Sequence, residues 1–191
     1  MTAPTTSAEL LEKWPVILGV TVCVMLTTGI FNAPFPFLYD QVIAEFGWSR
    51  EQATLLVSWR FIIAAGVALT IGELVQRIGP GKTLIIMSIV GGLALPGFLL
   101  IDSLATYYLC GMLLGAAGTG VLVPVKVWMS QRFDFAQGTA VGIVQNGTTL
   151  VQIIAPFVIV LVFAAFGWRM GMAVFSTGIW FVALPLIFLI F

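Results

Sequence analysis

Six long apolar runs, at 14–39, 52–75, 83–101, 104–129, 139–166 and 170–191, follow one another with only short polar or glycine-containing breaks. A helix needs about 20 apolar residues, at about 1.5 Å of rise each, to cross the hydrocarbon core of a bilayer, and each run is of that order. Composition closes the alternative. Of the residues, 60% are apolar and 8% charged, against about 25% charged in an ordinary soluble domain, so the chain cannot cover itself in water. The fold expected is an all-α integral membrane protein with six transmembrane helices: a tail at 1–13, then a bundle at 14–191. The lipid bilayer is its first partner.

The same inventory removes whole classes of chemistry. There is no His, hence no Ser/His or Cys/His nucleophile and no His-ligated zinc. Cys23 and Cys110 both fall inside apolar runs, which gives neither a disulfide framework nor metal-ligand spacing. The 8 basic residues balance the 8 acidic ones, leaving no basic footprint for nucleic acid. An enzyme, a metal and a bound cofactor are all unexpected. Gly81-Lys82-Thr83 spells the end of a phosphate-binding loop, but Gln76 stands where the first Gly of that loop would be. Asn146-Gly147-Thr148 spells a glycosylation site inside a span, out of reach of the transferase.

The ends of the runs carry orientation. The leader at 1–13 has no strongly basic stretch and no small-residue cleavage site, so it reads as a retained, frayed tail. Alternating the loops puts Lys13, Arg77, Lys82 and Arg132 on one side against Arg50 and Arg169 on the other. That bias favours a cytoplasmic N-terminus, in a cell (inner) membrane. Trp14, Trp48, Trp128 and Trp168 fall at or beside run ends, where an indole keeps its ring apolar and its N–H wet. The last run reaches Phe191 through Phe188, Leu189 and Ile190 with no polar anchor, as a chain cut before a second bundle would.

The first three runs and the last three share weak self-similarity at an offset of about 89 residues, the trace that a three-plus-three inverted repeat would leave. Pro34 after Gly29 answers Pro124 after Gly120, Glu45-Phe46 answers Asp134-Phe135, and 77–82 answers 166–169. Three spans per unit is an odd number, so the copies must insert in opposite senses. The competing explanation is that Gly, Pro and charge recur in any short loop.

Phe46-Gly47-Trp48-Ser49-Arg50-Glu51-Gln52 resembles the FGWSR lead-in to the second helix of monocarboxylate and oxalate/formate exchangers. Gly72-Glu73-Leu74-Val75-Gln76-Arg77-Ile78-Gly79-Pro80-Gly81-Lys82 resembles the signature G-x-L-x-D-R-x-G-P-R-R. The stretch 128–142, with Arg132, Ala140 and Gly142, then Gly147, Pro156 and Gly167-Trp168-Arg169, continues the pattern. On these motifs the chain resembles the N-terminal six-helix half of a major facilitator superfamily transporter, of the monocarboxylate and oxalate/formate exchanger type. The resemblance implies transport of a small organic anion, with a proton or a counter-anion, against a second six-helix bundle. That bundle would be a missing C-terminal half or a second copy of the chain. It also implies a cytoplasmic gate at Gly72, Glu73, Gln76, Arg77, Gly79 and Lys82. Here Gln76 replaces the acidic residue of the signature and Gly81 a basic one, with Glu73, one turn deeper, a candidate substitute. At 10–15 the acidic, glycine and aromatic signature of monocarboxylate carriers is not reproduced.

Polar groups at membrane depth are the candidate substrate ligands. Arg60 lies about eight residues into the second run, where an uncompensated charge costs at least ~2.5 kcal/mol, and it can grip a carboxylate bidentately. Its alternatives are a structural pair with Asp40 or Glu51, or snorkelling to the interface. Asn32 and Gln152 fall within about 10 Å of the midplane and would join Arg60 around one substrate. Gln145 and Asn146 suit interhelical hydrogen bonding at least as well. Lys126, near the end of the fourth run, is a gate or anion candidate with a stem long enough to snorkel. Gly111 and Gly115, with Gly118 and Gly120, give the fourth run a smooth face, and Gly138 and Gly142 give the fifth another, for close helix packing. Pro34, Pro36, Pro124 and Pro156 would kink spans or free carbonyls. Two functions remain: a secondary active carrier of a small organic anion working by alternating access, or a non-transporting six-helix scaffold, sensor or truncated inactive fragment.

Overall fold

A computed structural model describes residues 6–191. It is helical from end to end, with no strand among the described residues. In chain order the helices are α1 (Thr6–Glu12), α2 (Trp14–Asn32), α3 (Phe35–Phe46), α4 (Arg50–Ile78), α5 (Pro80–Gly97), α6 (Leu104–Arg132), α7 (Gln137–Gly178) and α8 (Leu184–Ile190). Among the described residues, five helical stretches are long and apolar enough to cross a membrane: Trp14–Phe46, Arg50–Ile78, Pro80–Leu100, Leu104–Arg132 and Gln137–Ile190. The last holds two spans, because Gly167 leaves helical geometry inside α7 at φ 74°, ψ 164°. Six spans result, as the hydropathy pattern implies.

The boundaries differ from the apolar runs in instructive ways. The first span does not stop at Tyr39. It breaks at Ala33-Pro34 and resumes as α3 to Phe46. Pro34 and Pro36 lack the amides that would bond the carbonyls of Ile30 and Asn32, so the helix cannot continue unbroken. Gly47, at φ 67°, then ends α3 in the left-handed region that glycine enters without strain. Ser49 starts α4 with a capping box: the Ser49 hydroxyl accepts from the Gln52 backbone N–H, and the Gln52 side-chain oxygen accepts from the Ser49 backbone N–H. Ser103 and Thr106 start α6 in the same way. Pro124 and Pro156, by contrast, sit inside α6 and α7 without ending either helix. The fifth and sixth runs are separate helical arms, as expected, meeting at the non-helical Gly167, and a π turn at Ile179–Ala183 leads into α8.

The inverted repeat is visible in the packing. The second span lies against the fourth, where a Cβ on Gly111 would stand 2.5 Å from Leu56 and one on Gly115 would stand 2.6 Å from the Arg60 carbonyl oxygen. The first span lies against the fifth, where Gly29 meets Val151 and Gly147 meets Thr21. Exchanging spans one, two and three for four, five and six turns the first pairing into the second. Gly79, at φ 86°, ψ 159°, joins spans two and three in nearly the conformation of Gly167 between spans five and six. The core between them holds Val20, Phe31, Phe35, Leu38, Leu56, Phe98, Tyr107, Leu114 and Met129.

The two ends of the bundle are tied differently. At one, Arg169 donates to the Glu45 carboxylate and to the carbonyls of Leu99 and Ile101, while the Trp168 indole N–H also donates to Glu45. That clamp joins all three loops of its side. At the other end the leader, expected to be frayed, is helical over Thr6–Glu12 and docked. Met1 to Thr5 lie outside the described residues. The buried Glu9 carboxylate accepts from the amides of Asp134, Phe135 and Ala136 at 2.9–3.1 Å and from the Lys13 ammonium. Lys13 also donates to the Arg132 carbonyl at 2.6 Å. Phe191 packs on Trp128 at this end, 4.4 Å between ring centroids with the planes tilted by 40°. The lipid-depth faces of α4 and of α7 before Gly167 stay bare, exposing Phe61, Ile62, Leu69, Ile153, Phe157 and Leu161.

Candidate functional site

The site begins with the break in the first span. The Phe31 carbonyl and the Asn32 side chain beside that break are reached by Arg60 from α4. The Nη2 group of Arg60 donates to the Phe31 carbonyl at 3.1 Å and to Asn32 Oδ1 at 2.6 Å, and the guanidinium lies 4.0 Å from the centre of the Phe35 ring. Arg60 Nε is buried without a hydrogen-bond partner. Three ion pairs occur among the described residues: Lys13 with Glu9, Arg77 with Glu73 and Arg169 with Glu45. Arg60 is in none of them, so the alternative of a pair with Asp40 or Glu51 is not what the structure forms. Its partners are two neutral oxygens and a ring. A cation held by neutral acceptors keeps its net charge, which in a low-dielectric surround favours an anion strongly.

That charge opens on a cavity. A half-open cavity of about 120 Å³ is lined by Asn32, Arg60, Phe61, Ala64, Thr119 and Leu122, with Gly115 and Gly118 as part of the wall. A Cβ on Gly118 would stand 3.7 Å from Asn32 Nδ2, so the absence of a side chain there leaves the Asn32 amide open. Asn32 and Leu122 also line a second cavity of about 160 Å³ with Thr28, Gln145, Thr148 and Gln152. Leu122 and Gln145 in turn border a crevice of about 10 Å³ against Lys126 and Val144. The structure thus joins Arg60 directly to Asn32, places Gln152 one cavity further on, and leaves Lys126 at the far end of the file. Gln145, expected as interhelical glue, lines two of the three spaces. Asn146 lines none of them.

The gate residues lie elsewhere. Glu73 and Arg77 pair one turn apart at 2.5 Å, both largely exposed, beside an open groove of about 310 Å³ lined with Thr70, Leu74 and Met87. Gln76 and Lys82 are exposed, Gly72 meets nothing within 4 Å, and Gly79 supplies the positive φ that turns α4 into α5. The two glycine pairs part company. Gly111 and Gly115 stand against the second span, whereas Gly138 and Gly142 have no atom within 4 Å of where a Cβ would stand. The packing expected at Gly138 and Gly142 is therefore not made within this chain.

Three features went unread in the sequence. The Phe31 carbonyl and Phe35 ring complete the Arg60 site; the pair Pro34 and Pro36 was the available signal, since it marks a helix break beside Asn32. The Glu45 and Arg169 clamp had its signal in the pairing of opposite charges across two loops of the same side. Glu9 had none. Its carboxyl is drawn down from 4.5 to about 2, first by the Lys13 ammonium and then by the three amides.

No match emerges among curated proteins. The family model for the Major Facilitator Superfamily matches residues 17–191, all of the bundle but the first three residues of its first span. Taken with six apolar helices, an inverted repeat and the absence of strands among the described residues, that match decides the family: the chain belongs to the Major Facilitator Superfamily, whose members are multi-pass membrane transporters rather than enzymes.

Proposed function

We propose that this chain carries a small organic anion of the monocarboxylate kind, with Arg60 as the fixed positive charge and Asn32 beside it. Alternating access would come from rocking of this bundle against a second six-helix bundle, either a further half of the same polypeptide or a second copy. The bare faces of α4 and of the first arm of α7 suit such a neighbour. A proton or a counter-anion would accompany the substrate. The N-terminus would be cytoplasmic, since Lys13, Arg77, Lys82 and Arg132 outnumber Arg50 and Arg169.

One observation carries the reading. An arginine at membrane depth, lining a cavity, has only neutral partners among the described residues. The rival reading, a non-transporting scaffold, draws on the same contacts, because two acceptors and a ring can also serve to fix a helix crossing. Flux in proteoliposomes separates them. Saturable lactate uptake, accelerated by lactate inside the vesicle and lost in Arg60→Gln at equal insertion, supports the carrier. Uptake unchanged in Arg60→Gln removes Arg60 from the site, and no flux from correctly inserted protein favours the scaffold.

A further inference from the structure

The contacts of Arg60 straddle the break in the first span. Phe31 and Asn32 close α2 on one side of Ala33-Pro34, and Phe35 opens α3 on the other. The guanidinium bonds the first two and covers the third. It therefore acts as a clip across a hinge whose own hydrogen bonds the two prolines have removed. An anion arriving in the cavity meets the same guanidinium, and a carboxylate is a stronger acceptor for it than an amide oxygen.

We propose that anion binding releases this clip: Asn32 is the neutral stand-in that occupies Arg60 in the empty site, and its displacement frees the first span to bend at Ala33-Pro34. This rests on the reading of Arg60 as the anion site. Asn32 then changes role, from the substrate ligand expected of it to a positioning residue that competes with the substrate. Substrate occupancy and helix geometry become two readouts of one event, which is what coupling of binding to a conformational equilibrium requires.

The two roles predict opposite signs. If Asn32 competes, Asn32→Ala tightens lactate binding, by about tenfold for one lost hydrogen bond to a charged group. Asn32→Asp, which keeps an anion on Arg60 permanently, abolishes it. If Asn32 is a ligand, Asn32→Ala weakens binding. The hinge is read by spin labels on the full chain at Leu18→Cys and Gln41→Cys, both exposed positions on either side of the break, with Cys23 and Cys110 replaced by Ala. The expected result is one shifted distance distribution, seen with lactate in the parent protein and without lactate in Arg60→Gln and Asn32→Ala. Arg60→Gln makes the hinge test independent of any ligand. A distribution unchanged by Arg60→Gln overturns the clip even if lactate binds. A shift in Arg60→Gln with no lactate binding to the parent protein leaves the hinge clip standing but overturns both the anion reading and release by an anion. Weaker binding in Asn32→Ala overturns the competition directly.

Discussion

Replacing Gly115 by Ala tests the contact on which the site is built. The added methyl would stand 2.6 Å from the Arg60 carbonyl oxygen, 3.0 Å from its Cα and 3.1 Å from its carbonyl carbon. All three are backbone atoms, so no rotamer can yield, and reaching ordinary contact at 3.4 Å means opening the crossing of α4 and α6 by 3.4 − 2.6 = 0.8 Å. Overpacking of this kind costs about 1–3 kcal/mol. Gly142→Ala is the control, since nothing lies within 4 Å of its added methyl. Both variants gain the same helix propensity, about 1 kcal/mol, and the difference between them isolates the clash. The expectation is that Gly115→Ala unfolds more readily than Gly142→Ala by about 1–3 kcal/mol, roughly 5- to 150-fold in the folded ratio. Denaturant titration in detergent, followed by loss of helix signal, measures it. Equal stability of the two variants would refute the claim that backbone proximity at Gly115 sets the position of Arg60.

The other expectations concern the two ends and the cavity. Glu9 has a folded pKa below its ordinary 4.5, so its contribution is complete above that value and is lost as pH falls toward 2. A spin label at the exposed Leu11 should gain mobility over that interval, and Glu9→Gln should show the mobile spectrum already at pH 7; a label indifferent to both would show that Glu9 does not hold α1. Arg169→Lys removes a fork serving Glu45, Leu99 and Ile101, and should cost about 1–2 kcal/mol after allowance for partial exposure. Arg77→Lys, in a pair exposed on both sides, should cost under about 0.5 kcal/mol in the same denaturation assay. Gly118→Ala meets only an ordinary 3.7 Å contact, so it should spare stability while narrowing the space beside Asn32 and weakening lactate binding.

How much of this was written in the chain varies with the range of the interaction. Spans were legible because hydropathy and the polar or glycine-containing breaks are local properties; the Ser49 and Ser103 caps, equally local, went unread. The end of the first span was not, since Asp40, Gln41 and Glu45 make the tip of α3 polar, and Glu45 is anchored by Arg169 from the loop between the last two spans. Gly138 and Gly142 share the spacing of Gly111 and Gly115, yet only the second pair meets a neighbour. Small residues permit close approach without saying which helix comes. Arg60 and Asn32 were legible singly, as polar groups that a membrane span does not carry idly. Their bond was not, because it depends on how the Gly115 crossing sets α4 against the break. Glu9 docks on a loop 125 residues away in sequence, and one acidic residue in a polar leader has no periodicity to betray it.

The central claim is that Arg60 makes the cavity at the first-span break a binding space for anions. Thr119 lines that cavity and can be converted to Cys in the full chain carrying Cys23→Ala and Cys110→Ala. The measurement is the ratio of reaction rates of this thiol with a sulfonate-bearing and an ammonium-bearing methanethiosulfonate reagent of similar size. The account predicts a ratio several-fold higher with Arg60 than with Arg60→Gln, and protection of the thiol by lactate only when Arg60 is present. A ratio unmoved by Arg60→Gln would contradict it.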